Sequence, residues 1–216
     1  MYKVLKQETV VYVVPTSRYG LDHDRVKIQS TMQLEKPLPK EEVLFVPSKT
    51  EKVDKAVRNF LNERGFDFGP RLASDVNNKI KDLPEEYMDP ERKDETRSDS
   101  LLSYLITYLD QVKPQPIEGT TSHYHFEYEF PLYPNETEEF EFMTSLPFNG
   151  FEESGRMELE LIIILPEDVT FDPKKTKGVT ADGQEITEQT YKTQNNRSLV
   201  TFFRQVDPDF YVSYKY

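Results

Sequence analysis

Three stretches of the chain alternate residue by residue between apolar and polar, mostly acidic, side chains: His123 to Phe130, Glu139 to Phe142, and Met157 to Leu161. A period of two is the signature of a strand, because successive strand side chains point to opposite faces. The alternation turns Tyr124, Phe126, Tyr128 and Phe130, then Phe140 and Phe142, then Met157, Leu159 and Leu161 toward a core. It directs Glu127, Glu129, Glu139, Glu141, Glu158 and Glu160 toward water. The pattern predicts a β-sheet with one aromatic and one acidic face. Further strand patterns cover 2–14, 25–34, 43–46, 198–206 and 210–216, and Asp182-Gly183 between short runs predicts a type I′ hairpin. The first strand carries apolar residues on both parities, Val10 and Tyr12 on one and Val11 and Val13 on the other, which fits a place inside a sheet.

Helical periodicity separates the early strands from the later ones. Ser48 and Glu51 stand at capping-box spacing ahead of the stripe Val53, Val57, Phe60 and Leu61, and Gly65 closes it. Three helices are predicted, over about 49–64, 71–83 and 98–112; the third is apolar over more than half its circumference. The charged segment 85–99 reads as a solvated loop or a frayed helix start. The fold class expected is therefore α+β, with three strands and three helices in residues 1–113 and an antiparallel β-sandwich-like domain in 117–216. In a variant of this reading, strands within 2–46 join the later sheets and the helices form an insertion.

Charge changes the picture at Pro114-Gln-Pro116. Residues 1–116 hold 20 acids and 19 bases, whereas 117–216 hold 19 acids and 8 bases, so the net −12 sits almost wholly in the second part. Within 118–160 a single base, Arg156, accompanies 11 acids. Such a surface disfavours nucleic acid and anionic membranes, which both need Lys and Arg, and points to a basic protein partner. The chain has no Cys, which excludes disulfides, thiolate metal sites and cysteine nucleophiles. No apolar stretch approaches the ~20 residues of a membrane span, and the first residues lack a signal-peptide pattern, so a cytoplasmic protein is expected. No phosphate-cradling glycine motif and no Gly-X-Ser-X-Gly elbow occurs, which disfavours nucleotide enzymes and serine hydrolases. No cofactor is implied.

Two patterns carry candidate chemistry. His123-X-His125 with Glu129 puts two imidazoles and a carboxylate on one face of one strand, the spacing that metal ligands on β-barrels use. It resembles a fragment of the first cupin motif, in which His-X-His is followed after three or four residues by Glu. The resemblance implies metal ligands at His123, His125 and Glu129. Three residues separate Gly119 from His123 where that family has five, position 136 is Glu where it has Gly, and no later His completes the ligand set. The second pattern is the acidic face itself, joined by Phe148 and Phe151 beside the Asn149-Gly150 turn as an apolar contact tip. The expected function is a non-catalytic interaction or structural module that docks a basic protein through these eight residues. A metal-dependent enzyme at His123 and His125, and an acidic mimic of nucleic acid that fills another protein's DNA groove, are the alternatives. The sequence leaves the oligomeric state open.

Overall fold

The computed structural model describes residues 2–50, 69–81, 91, 100–101, 103–180, 182–186, 188–193, 195–204 and 208–216, without the side chains of residues 156 and 204. In chain order the strands are β1 (Tyr2–Val14), β2 (Asp24–Leu34), β3 (Leu44–Pro47), β4 (Arg71–Leu72), β5 (Leu109–Val112), β6 (Gln115–Pro116), β7 (His123–Leu132) and β8 (Phe140–Ser145). They continue as β9 (Phe151–Glu167), β10 (Thr170–Phe171), β11 (Lys177–Thr180), β12 (Glu185–Ile186), β13 (Gln189–Lys192), β14 (Arg197–Arg204) and β15 (Pro208–Lys215). Among the described residues a helix, α1, spans Ala73–Lys81, and residues 100–101 and 103–105 are also helical.

Alternating strands of this length bury one face each, and here they do so as two sheets pressed together. A large sheet runs in the order β13-β14-β9-β1-β2-β7-β6; a second holds β15 between β8 on one side and β10 and β11 on the other, with β12 beyond β11. A small third sheet, β4-β3-β5, stands beside them. Phe202 of the large sheet meets Phe210 of the second at 4.9 Å between ring centroids, so the inner faces interdigitate. β3 is buried on both faces: Leu44 and Val46 join the main core, while Phe45 packs with Ala73, Val76, Leu105 and Leu109 in a satellite cluster.

The described residues are 57% strand and 13% helix, so the chain is mostly β and not α+β with three helices. Nor do the early strands form a body of their own in front of an antiparallel sandwich. β1 lies inside the large sheet, antiparallel to β2 and parallel to β9. The helix expected over 49–64 lies, from residue 51 on, outside the described residues, as does most of the charged segment 85–99. The second expected helix corresponds to α1. The third is corrected: helical turns end at a 3₁₀ turn, Ile106–Tyr108, and Leu109–Val112 extends to pair with β3. Leu105, Leu109 and Val112 repeat at helical spacing, but Pro114 forbids continuation and the open edge of β3 offers backbone partners that a helix end would lack. The Asp182-Gly183 hairpin joins β11 to β12, yet among its described residues only Gly183 has positive φ, and Thr180 N–H donates to the Gln184 carbonyl at 3.0 Å. That geometry is a three-residue connection with a left-handed last residue, not a type I′ turn.

At the open end of the sandwich a single carboxylate ties the two sheets. Asp24, fully buried at the start of β2, accepts from the Ser17 N–H at 3.0 Å and the Ser17 hydroxyl at 2.6 Å through one oxygen. Its other oxygen accepts from the Tyr214 hydroxyl at 2.7 Å and from the Tyr216 hydroxyl. Burial first, and then the Asp24 charge and hydrogen bond, push both phenols above the ordinary tyrosine range. Arg18 covers the Tyr216 ring at 4.2 Å, and Tyr214 stacks on Phe140 at 5.1 Å. Asp24→Ala strands four donors in a dry site and is expected to lower unfolding free energy by about 3 kcal/mol. Urea denaturation monitored by tyrosine fluorescence measures it; a loss below about 1 kcal/mol would show that the carboxylate does not fasten the sheets.

Candidate docking surface

Cross-strand partners share a face, so the register of the large sheet fixes what its outer surface presents. One row across it, from β13 to β7, reads Tyr191, Leu199, Ile164, Tyr12, Lys27 and Glu129. The next reads Gln189, Thr201, Ile162, Val10, Gln29 and Glu127. The third reads Phe203, Glu160, Glu8, Thr31 and His125, and the fourth Glu158, Lys6, Gln33 and His123. The face is therefore divided. Its β7-β2 half is charged or polar, and its β1-β9-β14-β13 half is apolar along the whole first row and, at Val10 and Ile162, along the second. Phe203 is 58% exposed, Tyr191 54% and Tyr12 37%, while Val10, Ile162, Ile164 and Leu199 are half-buried. An apolar surface of this extent, rimmed by charge, is the usual mark of a contact site.

The six glutamates do not form one face. Glu127 and Glu129 lie on β7, and Glu158 and Glu160 on β9, three strand steps or about 14 Å away across the same surface. Glu139 and Glu141 belong to the second sheet and its approach. Three of the six are already answered by cations of the chain itself. Glu129 meets Lys49 at 2.7 Å, Arg25 at 2.9 Å and Lys27 at 3.7 Å. Lys175 bridges Glu139 and Glu141, reaching the latter at 3.3 Å, and Ser213 also donates to Glu139. Around Lys6, by contrast, three carboxylates gather: Glu8 at 2.6 Å, with Glu158 and Glu160 on the neighbouring strand. Hydrogen bonding to Glu8, and then the attraction of all three carboxylates, raises the Lys6 ammonium above the ordinary lysine range. One cation among three anions leaves an acidic excess at the end of the apolar rows.

Phe148 and Phe151 are not an exposed tip; they are 1% and 9% exposed and belong to the main core. The Asn149-Gly150 turn docks against β4, with Leu72 N–H donating to the Asn149 carbonyl at 2.8 Å and Asn149 N–H to the Pro70 carbonyl at 3.1 Å. Gly150, at φ +92°, lies so close to Leu72 that a Cβ would stand 2.7 Å from the Leu72 Cβ. Local turn residues marked the bend correctly, but not that a strand 80 residues earlier would cover it.

His123 and His125 project from alternate residues of β7 onto the outer face, both half-buried, and His123 Nδ1 is buried without a partner. Glu129, further along the same strand, is engaged by three cations, which opposes a bound metal ion there. Among the described residues no group of three or more His, Asp or Glu side chains is placed to hold one ion.

What the sequence reading missed is the apolar half. The double-sided β1 reads as a strand inside a sheet, and only the register shows which of its sides is open. A shallow depression of about 570 Å³ at its end is lined by Tyr12, Ile164, Glu167, Thr193, Asn195 and Arg197. Arg197 donates to the Tyr12 hydroxyl at 2.6 Å and lies 3.5 Å from Glu167. No family model matches the chain, and no curated protein matches it either. Among the described residues no helix is long and apolar enough to cross a membrane.

The Glu129 contacts give a pH dependence with a definite sign. Hydrogen bonding to Lys49 first, and then to Arg25, holds its carboxyl below the ordinary glutamate value of 4.5. A carboxyl depressed in the folded state contributes stability above its unfolded pKa and loses it as pH falls through the folded one. Glu129→Gln is expected to cost on the order of 1 kcal/mol at pH 7 and to flatten the decline in stability below about pH 4.5. Denaturant midpoints of both proteins at pH 7 and pH 3 test this. Parallel pH curves would remove Glu129 from the acid response.

Proposed function

We propose that this protein is a non-catalytic interaction module whose docking surface is the apolar half of the large sheet's outer face together with the acidic excess at its edge. The single observation that carries the reading is the adjacency of exposed Phe203 to Glu160 and, through it, to Glu8, Glu158 and Lys6. A protein segment with apolar side chains flanked by Lys or Arg meets both features at once. Burial of the apolar rows supplies affinity, at roughly 25 cal/mol per Å² before the costs of association, and the carboxylates supply orientation and speed of encounter. The partner is thus basic, as the charge distribution suggested, but its basic groups are matched to Glu8, Glu158 and Glu160 and not to all six strand glutamates. A nucleic-acid mimic is less well supported, since its function needs a line of unpaired anions, and Glu129, Glu139 and Glu141 are each paired with lysine.

Immobilised protein, a Phe203→Ser variant and a Glu158→Lys/Glu160→Lys double variant serve to test the reading by affinity capture from the native host. These substitutions fall on solvent-facing positions, so the fold should survive them. The expected result is one basic protein retained by the wild type, lost from both variants, and released more readily as salt rises from 50 to about 500 mM. Equal retention by all three baits would overturn the proposal.

A further inference from the structure

The large sheet ends in two unlike edges. β6 closes one with two residues, one of them Pro116, which has no N–H to offer. β13 closes the other with Gln189–Lys192, and all four of its residues are exposed. Thr193 N–H donates to the Arg197 carbonyl at 2.9 Å, so residues 193, 191 and 189 direct their backbone groups to β14. Residues 190 and 192 therefore direct theirs outward, and the same alternation continued one residue before the strand puts 188 on that side, as a row that a further strand can satisfy.

From this row we infer that the protein forms a two-fold dimer in which β13 pairs antiparallel with β13 of a second copy, centred on Thr190. The register follows from the geometry. Antiparallel pairing joins residues whose backbone groups face each other, and centring on Thr190 engages 188, 190 and 192 together, for about six hydrogen bonds. In that register, and by symmetry twice, Glu188 stands directly opposite Lys192. Among the described residues the half-buried Glu188 has no ion partner, and the exposed Lys192 donates from its ammonium to the Ser198 hydroxyl at 2.9 Å. Directly opposed unlike charges on antiparallel strands stabilise the pair. A strand of a different protein would have to reproduce this spacing; a second copy supplies it by construction. On the outer face, the two Tyr191 rings, each 54% exposed, come to lie diagonally side by side and carry the apolar rows of one subunit into those of the other. The outcome is one continuous sheet across two sandwiches.

Sedimentation velocity of the full chain over roughly 1 to 100 μM reads the assembly against the 25.4 kDa monomer. Thr190→Pro removes an outward N–H and leaves the ladder to β14 intact, so it is expected to give a monomer at every concentration. Glu188→Lys sets like charges opposite each other twice and is expected to weaken the dimer about tenfold. Adding Lys192→Glu to it restores opposite charges and is expected to return the affinity to within about threefold of the wild type. A wild type that stays monomeric throughout, a dimer unchanged by Thr190→Pro, or a charge swap without rescue each overturns the proposal. The inference stands apart from the docking reading. Phe203→Ser is expected to leave dimerisation unchanged, and Thr190→Pro to leave capture of the basic partner unchanged, so failure of one is separable from failure of the other.

Discussion

The parallel pairing of β1 with β9 is the constraint on which the other features rest. It joins residues about 150 positions apart, Tyr2 with Phe151 and Tyr12 with Ile164. Until β9 has been made and positioned, β1 is the open edge of a partial sheet that holds only β2, β7 and β6 beside it. The large sheet is therefore a structure of long-range contacts, the kind that forms late and slowly. The same pairing fixes both faces. Val11 and Val13 go inside and Val10 and Tyr12 outside. A register shift between Val4 and Lys6 lets two residues of equal parity point to opposite sides, so that Val4 is buried and Lys6 comes to stand beside Glu158.

Buried polar groups serve two distinct ends in this core. Asp24 is a charge held by three hydroxyls and one amide, and each donor comes from a segment that must be in place: the 3₁₀ turn of Thr16–Tyr19 and the C-terminal end of the chain from Tyr214 to Tyr216. Because a carboxylate left unsatisfied there is costly, the group discriminates between the assembled sandwich and looser packings. Gln7, Thr9 and Ser30 act more locally. Thr9 and Ser30 are opposite one another and their hydroxyls lie 2.8 Å apart, while Gln7 donates to both at 3.4 and 3.3 Å and leaves its own Oε1 without a partner. A slip of two residues would set Thr9 against Ile28 or Met32 and bury its hydroxyl unpaired, so the triad marks the β1-β2 register at some expense of stability.

The strands were legible because alternation is a local signal: β7, β8, β9, β14 and β15 begin and end within a few residues of the patterned stretches. Three things were not. Leu105, Leu109 and Val112 satisfy a helical stripe and a turn followed by a strand equally well, and only the partner strand β3 decides between them. Phe148 and Phe151 flank a genuine turn, but whether a turn is covered depends on what returns to it, here Leu72. The apolar half of the outer face was hidden by its own consistency. A strand apolar on both parities is ordinarily central and buried on both faces, and β9 and β1 are central here without being covered on both.

The charge of a surface is a property of neighbouring strands and not of any one of them, and this is where the glutamate pattern misled. Glu-X-Glu on β7 reads as acidic until β2 is laid beside it with Arg25 and Lys27, and Glu139 and Glu141 read so until Lys175 of a distant loop reaches them. Counting along the sequence grouped the strand glutamates on one face, whereas the fold separates them and leaves an unmatched part of the charge where Glu8 and Glu160 are directly opposed. Like charges in that position repel, by roughly 0.2 to 1 kcal/mol a pair, and Lys6 relieves only part of it. That unrelieved repulsion lies in the same row as the most exposed phenylalanine of the sheet, so a cation brought in by a bound partner would remove an existing strain at the moment its apolar neighbours were buried. Electrostatic relief and apolar burial then favour the same docked geometry, which neither feature would define alone.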